Sequence, residues 1–248
     1  MTLALLALIG LAGGVGITAI GPGGVLPTIG LFALTGLSPA QVAGTSIVTH
    51  IATGALATAA YTRSGQLRES RTRRTALILA ATAALGTPVG VLVNGMVSQR
   101  VFGVVLGVLV AVVAALVLYR EHRHPSAAPA HPTTPAVAGL GLGVAVASGI
   151  VGIGGPMLTV PLLIVLGAPV LESLASAQVQ SIIIATVGTL GYLASGAINW
   201  PLAALVGLPE LVGVLLGWKI ARSLPTLRLK YALIVTLFAL APYLALHG

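Results

Sequence analysis

Two glycine clusters hold the residues of this chain best suited to chemistry. One is Gly21, Pro22, Gly23 and Gly24; the other is Gly152, Gly154, Gly155 and Pro156, and Gly21, Gly23 and Gly24 each recur 131 positions on. Glycine is a poor helix former and proline has no N–H to offer, so a helix is expected to break at both places. A helix that restarts after a break presents free N–H groups and the positive end of its dipole, which makes a cradle for an oxyanion without a fixed cation. The competing role is close packing of helices through small residues.

The segment after each cluster places polar side chains in an apolar run. Thr45, Ser46, Thr49 and His50 stand in one half; Ser176, Gln178, Gln180 and Ser181 stand in the other. Hydroxyls and amides donate hydrogen bonds to sulfonate or carboxylate oxygens without the desolvation cost of a buried cation. They also bond their own helix carbonyls, so packing alone is the rival role. His50 and Glu210 are the ionisable groups most clearly inside apolar segments, where a charge is costly and function is the first hypothesis. Both are proton-coupling candidates, and His50 could also hold an anion when protonated. The quieter alternative for each is an interhelical hydrogen bond.

The elements that carry these residues follow from composition. Hydrophobic residues make up 57% of 248 and charged ones 6%, with a mean hydropathy of +1.08, against about 25% charged residues in soluble domains. This describes an integral membrane protein. The apolar segments are continuous and rich in Leu, Ala, Val and Gly, without the alternation of a barrel strand, so they read as helices. They run approximately over 3–20, 24–36, 40–61, 75–97 and 101–119, then 136–153, 157–167, 172–194, 201–221 and 229–246. The second of each five is short for a full span.

Tyr61, Ser64 and Gly65 recur as Tyr192, Ser195 and Gly196, again 131 positions on, so the chain is a tandem duplication. Arg63, Arg68, Arg71, Arg73 and Arg74 follow the first YxxSG, whereas the loop after the second, GAINWP, is uncharged. Basic residues mark cytoplasmic loops, which puts the equivalent loops on opposite sides of the membrane. The expected fold is therefore an all-α polytopic membrane protein with two inverted-topology repeats of about five hydrophobic segments each and broken or re-entrant helices. The first transmembrane repeat is 1–119, residues 120–135 form a cytoplasmic linker, and the second repeat is 136–248. Arg120 and Arg123 fall in the linker; Lys219, close to the end of the ninth segment, groups with Arg222, Arg228 and Lys230 beyond it.

The net charge of +8 belongs to these loops and carries no aromatic interleaving, so nucleic acid is excluded as a partner. Cysteine and aspartate are absent, and no metal-ligand spacing occurs. No cofactor, metal or catalytic residue is expected.

The duplicated GxGG before an apolar half-helix, the GTS at Gly44, Thr45 and Ser46, the YxxSG ends, and the GxxxG pairs Gly86/Gly90 and Gly213/Gly217 together resemble the TauE/SafE family of sulfite exporters and anion permeases. The resemblance implies a carrier of the bacterial-type inner (cytoplasmic) membrane for sulfite, sulfoacetate or other sulfonates, coupled to protons or to the membrane potential. The motif positions it implies are Gly21, Gly23, Gly24, Gly44, Thr45, Ser46, Gly152, Gly154, Gly155 and Ser176. In the second half Ser176, Ala177 and Gln178 stand where a Thr-Ser is expected, which leaves the anion open.

The function expected is a secondary transporter moving a small anion by alternating access, with no enzymatic activity. Its partners are that anion and the lipid bilayer, with a homodimer left open. An anion channel is the alternative, an intramembrane enzyme a remoter one, and a scaffold role the last.

Overall fold

The computed structural model describes residues 1–19, 21–122 and 132–223. Among them the chain is helical, with no strand: α1 (Thr2–Ala19), a 3-10 turn (Pro22–Gly24), α2 (Val25–Leu34), α3 (Pro39–Arg63), a second 3-10 turn (Gln66–Arg68), α4 (Ser70–Asn94), α5 (Gln99–His122), α6 (Thr134–Val151), α7 (Pro156–Val165), α8 (Val170–Ala194) and α9 (Trp200–Ser223). All but α2 and α7 are long and apolar enough to cross a bilayer, which makes seven candidate spans among the described residues. All-helical among the described residues, the chain is a polytopic membrane protein. Most of the expected linker, the tenth expected segment (229–246), Arg228 and Lys230 lie outside the described residues.

Local chemistry sets the boundaries. α3 opens on a capping box: Gln41 N donates to Ser38 Oγ at 3.4 Å, Ser38 N donates to Gln41 Oε1 at 3.0 Å, and Pro39 takes the first helical position. Both glycine clusters break a helix as expected. After α1, Gly21 takes φ 105°, and α6 closes on Gly152 at φ 72°, a conformation open to glycine at little cost. α2 and α7, at 10 residues each, reach only about 15 Å, half the hydrocarbon thickness. α2 folds back along α1: a Cβ on Gly13 would lie 2.9 Å from Pro27 Cδ, and one on Gly30 3.0 Å from Ile9 Cγ2.

α3 and α8 are the most buried of the seven spans and pack together antiparallel. Cβ atoms on Gly44, Gly54 and Gly188 would press on Tyr192, Ile182 and Ile47 respectively, so ascending positions in one helix meet descending ones in the other. On their flanks α1 packs along α9, and α6 along α4, each pair parallel. Glycines allow this approach. Gly14 faces the Glu210 carbonyl, Gly213 that of Leu11 and Gly217 that of Val15; Gly86 faces the Leu142 carbonyl and Gly90 that of Val146. The GxxxG pairs are thus helix contacts. Outward, Leu8, Leu85, Leu92, Val108, Leu190 and Leu208 are exposed, as lipid-facing side chains should be.

Gly14→Ala is expected to destabilise the protein by about 1–3 kcal/mol, because the methyl would overlap the α9 backbone. Gly143→Ala, where a Cβ meets nothing within 4 Å, is expected to leave stability unchanged or raise it. Thermal unfolding in detergent checks the contrast.

Candidate functional site

The two helix breaks converge on one imidazole. His50, in the middle of α3, is 1% exposed. A Cβ on Gly24, just before α2, would lie 3.4 Å from its Cε1, and one on Gly154, just before α7, 3.5 Å from its Cδ2. Nε2 is the ring atom between those two carbons, so it faces the seam between the starts of α2 and α7. It has no hydrogen-bond partner. On the other side, Nδ1 lies 3.3 Å from Oε1 of Glu210, which is fully buried.

The position of Glu210 follows from α9. Pro209 precedes it inside that helix, and Gly14 of α1 lets the α9 backbone come close at the Glu210 carbonyl. Its side chain is thereby held toward α3. Neither of its carboxylate oxygens meets a hydrogen-bond donor in good geometry, so the contact with His50 is electrostatic. A buried carboxylate without a cation or donors is strongly disfavoured, which leaves His50 as the group it depends on.

The remaining expected binding residues divide. Gly21 sits against the Val160 side chain of α7, while Gly23 meets the Gly16 backbone of α1 and Gly152 the Ala43 backbone of α3. Gly155 faces Gln180, whose Oε1 accepts from Thr159 Oγ1 at 2.5 Å and whose Nε2 donates to the Gly141 carbonyl at 3.3 Å. Ser46 Oγ pairs with Thr28 Oγ1 at 2.7 Å, and Thr49 Oγ1 donates to the Ser46 carbonyl at 2.9 Å. Thr45 Oγ1 accepts from Asn199 N at 2.9 Å, while Ser176 Oγ donates to the Thr72 carbonyl at 3.2 Å. These two bonds tie α3 to the start of α9 and α8 to the start of α4. Gln178 Nε2 donates to the Ile17 carbonyl at 3.4 Å and leaves its buried Oε1 unpartnered. Ser181 stands beside Gly154, its Oγ 2.9 Å from where a Cβ would be. The breaks, His50, Glu210 and Ser181 therefore share one locus, with Gln180 beside the second break but bonded to Thr159 and Gly141, while Thr45 and Ser176 are engaged elsewhere.

Two tyrosines complete the frame. Tyr61 Oη donates to the Thr18 carbonyl at 3.1 Å, and Tyr192 Oη to the Gly149 carbonyl at 2.6 Å, so each fixes the last turn before a break. Sequence reasoning used both only as markers of the repeat. The signal available was a phenol in an apolar run, which must find an acceptor when buried. Away from this locus, Arg71 and Arg74 line a cleft of about 170 Å³ with Thr75, Pro132 and Thr134, and Arg74 donates to Thr134 Oγ1 at 3.1 Å.

Residues 6–244 match the family of the sulfite exporter TauE/SafE. The chain belongs to that family. No curated protein and no solved structure matches it significantly. TauE/SafE proteins are membrane transporters and not enzymes, so the His50–Glu210 pair belongs to a transport protein for small anions, seated in the membrane by its seven candidate spans. Among the described residues no three His, Cys, Asp or Glu side chains gather to hold a metal ion.

Tyr192→Phe is expected to lower stability by about 1–2 kcal/mol, since the buried Gly149 carbonyl loses its side-chain donor. A thermal melt of the purified variant measures it.

Proposed function

We propose that this chain is a secondary transporter of a small oxyanion such as sulfite or a sulfonate, working by alternating access between two inverted repeats. The single observation that carries the reading is the buried, unpartnered Nε2 of His50, turned to the seam between two helix starts. Each start contributes backbone N–H groups and a positive dipole end, and the imidazolium adds the one cation that the described residues bring to the seam. Ser181 stands close enough to add a hydroxyl. A buried anion is stabilised there by hydrogen bonds and one charge, without a lysine or arginine.

Inversion of the repeats, 1–119 and 136–248 about a cytoplasmic linker at 120–135, is supported by how equivalent elements meet. α3 and α8 correspond at an offset of 131 and run antiparallel. The bonds Tyr61 to Thr18 and Tyr192 to Gly149 are related by the same offset at both ends. α1 pairs with α9 as α6 does with α4, so each repeat lends its first helix to the other. Rocking of one repeat about the other would open the seam to alternate faces, with His50 and Glu210 as the proton-coupling pair.

Two experiments test this reading. Gly24→Val and Gly154→Val in proteoliposomes are each expected to cut sulfite or sulfonate flux by roughly 10-fold or more, the loss of one hydrogen bond to a charged group. Flux equal to that of the parent would remove the seam as the binding place. The chain has no cysteine, so Ser70→Cys and Ser195→Cys, both exposed, report on sidedness directly. An impermeant maleimide applied to intact cells is expected to reach Cys at 195 and not at 70. Labelling of both from one face would end the inverted arrangement.

A further inference from the structure

We infer that the seam takes a singly charged oxyanion together with one proton, Glu210 supplying the negative charge that the anion replaces. The inference rests on the transport reading above and adds its charge rule. α1, α2 and α7 carry no titratable side chain. α8 carries Glu172 in its first turn and Tyr192, which donates to the Gly149 carbonyl, near its last. On α3 the others are Tyr61 and Arg63 at its far end, and on α9 Lys219 and Arg222 lie beyond Glu210 toward its C-terminus. Lys219 is nine residues on, about 13 Å along the axis. α6 carries none, and α4 and α5 carry theirs only near their ends, so among the described residues charge in the middle of the bundle rests on His50 and Glu210 alone.

An uncompensated charge in such a place is expensive, so the seam stays neutral with and without its ligand. Without the anion, neutrality is met by imidazolium facing carboxylate, the two groups being 3.3 Å apart. An arriving monoanion hydrogen-bonds Nε2–H, the nitrogen left open, and would bring the seam to net −1 unless Glu210 takes a proton. The balanced step is uptake of A⁻ and H⁺ from one face, with H⁺ on the Glu210 carboxyl and A⁻ on the imidazolium, and release of both at the other. Should the pair instead rest as neutral imidazole and neutral carboxyl, the proton goes to His50 and the count is the same. A dianion would need a second cation, and among the described residues the seam has none. Glu210 and the anion thus compete for one imidazolium.

The test uses the full chain in proteoliposomes loaded with methanesulfonate, which keeps its single charge at every accessible pH. Expected are one proton moved with each methanesulfonate, by a trapped pH dye against radiolabel, a rate unchanged when valinomycin clamps the potential at zero or inside-negative, and no flux of sulfate. Methanesulfonate flux without protons, or driven by the potential, overturns the charge rule and leaves transport standing. Absence of flux for methanesulfonate and sulfite alike overturns the transport reading with it. In detergent, Glu210→Gln is expected to bind methanesulfonate roughly tenfold more tightly than the parent, its competitor being gone. Weaker binding by this variant, when it melts like the parent, would also overturn the rule.

Discussion

The structure depends on hiding broken backbone from hydrocarbon. A helix that stops inside a membrane exposes N–H and C=O groups that lipid cannot satisfy, so the break must be enclosed by protein or by a wet cavity. Here residues 21–25 and 151–161 are buried without exception. Each break is tightened by local bonds, Gly21 N to the Gly16 carbonyl at 2.9 Å and Gly152 N to that of Ser148 at 2.9 Å, and each is held from outside by a tyrosine. The long helices act as a jacket around two defects that no single helix could tolerate.

That jacket cannot be assembled by the hydrophobic effect, since lipid tails are as apolar as the helices they would leave. Close contact has to supply the attraction, and close contact needs small residues. Gly10 and Gly14 bring α1 against the backbone of α9, and Gly149 sets α6 within 2.7 Å of the Thr87 carbonyl as judged from its absent Cβ. Phe32 and Phe102, with ring centroids 5.4 Å apart, tie the short α2 to α5. Because α1 packs on α9 and α6 on α4, the first helix of each half is anchored on the other half. The two hairpins that bear the breaks are thereby drawn to a common centre.

Most of the fold was legible in the residues because its signals are coarse. Length and hydropathy place the helices, and the expected segment 40–61 differs from α3 only at its ends, where the Ser38 capping box and Arg63 extend it. Glycine with proline placed both breaks. The site was legible in its parts and not in its pairing. His50 and Glu210 lie 160 positions apart, in segments not related by the duplication offset, so no local pattern joins them. Thr45 and Ser176 illustrate the opposite failure. As hydroxyls in apolar helices they suit an anion, yet each is spent on a main-chain group of another helix, Asn199 N or the Thr72 carbonyl. Sequence cannot tell a ligand hydroxyl from a tying one, because only the neighbour's position decides it.

Among the buried polar atoms without a hydrogen-bond partner, those of His50 and Glu210 differ from the hydroxyl and amide oxygens, such as Thr72 Oγ1 and Gln178 Oε1, in belonging to ionisable groups. In a medium that penalises every unsatisfied donor or acceptor, polar side chains at helix contacts drift toward fixed partners, as Thr28, Ser46, Thr159 and Gln180 have done. A group left open in such surroundings is costly, and the open Nε2 of His50 is found where two positive helix ends meet, with Glu210 on the far side of the ring. Packing alone does not call for ionisable groups there, since apolar side chains of matching volume would bring no desolvation cost. On the transport reading proposed above, a solute visiting the seam would satisfy Nε2 while it stayed, so the cost of the open atom would favour binding.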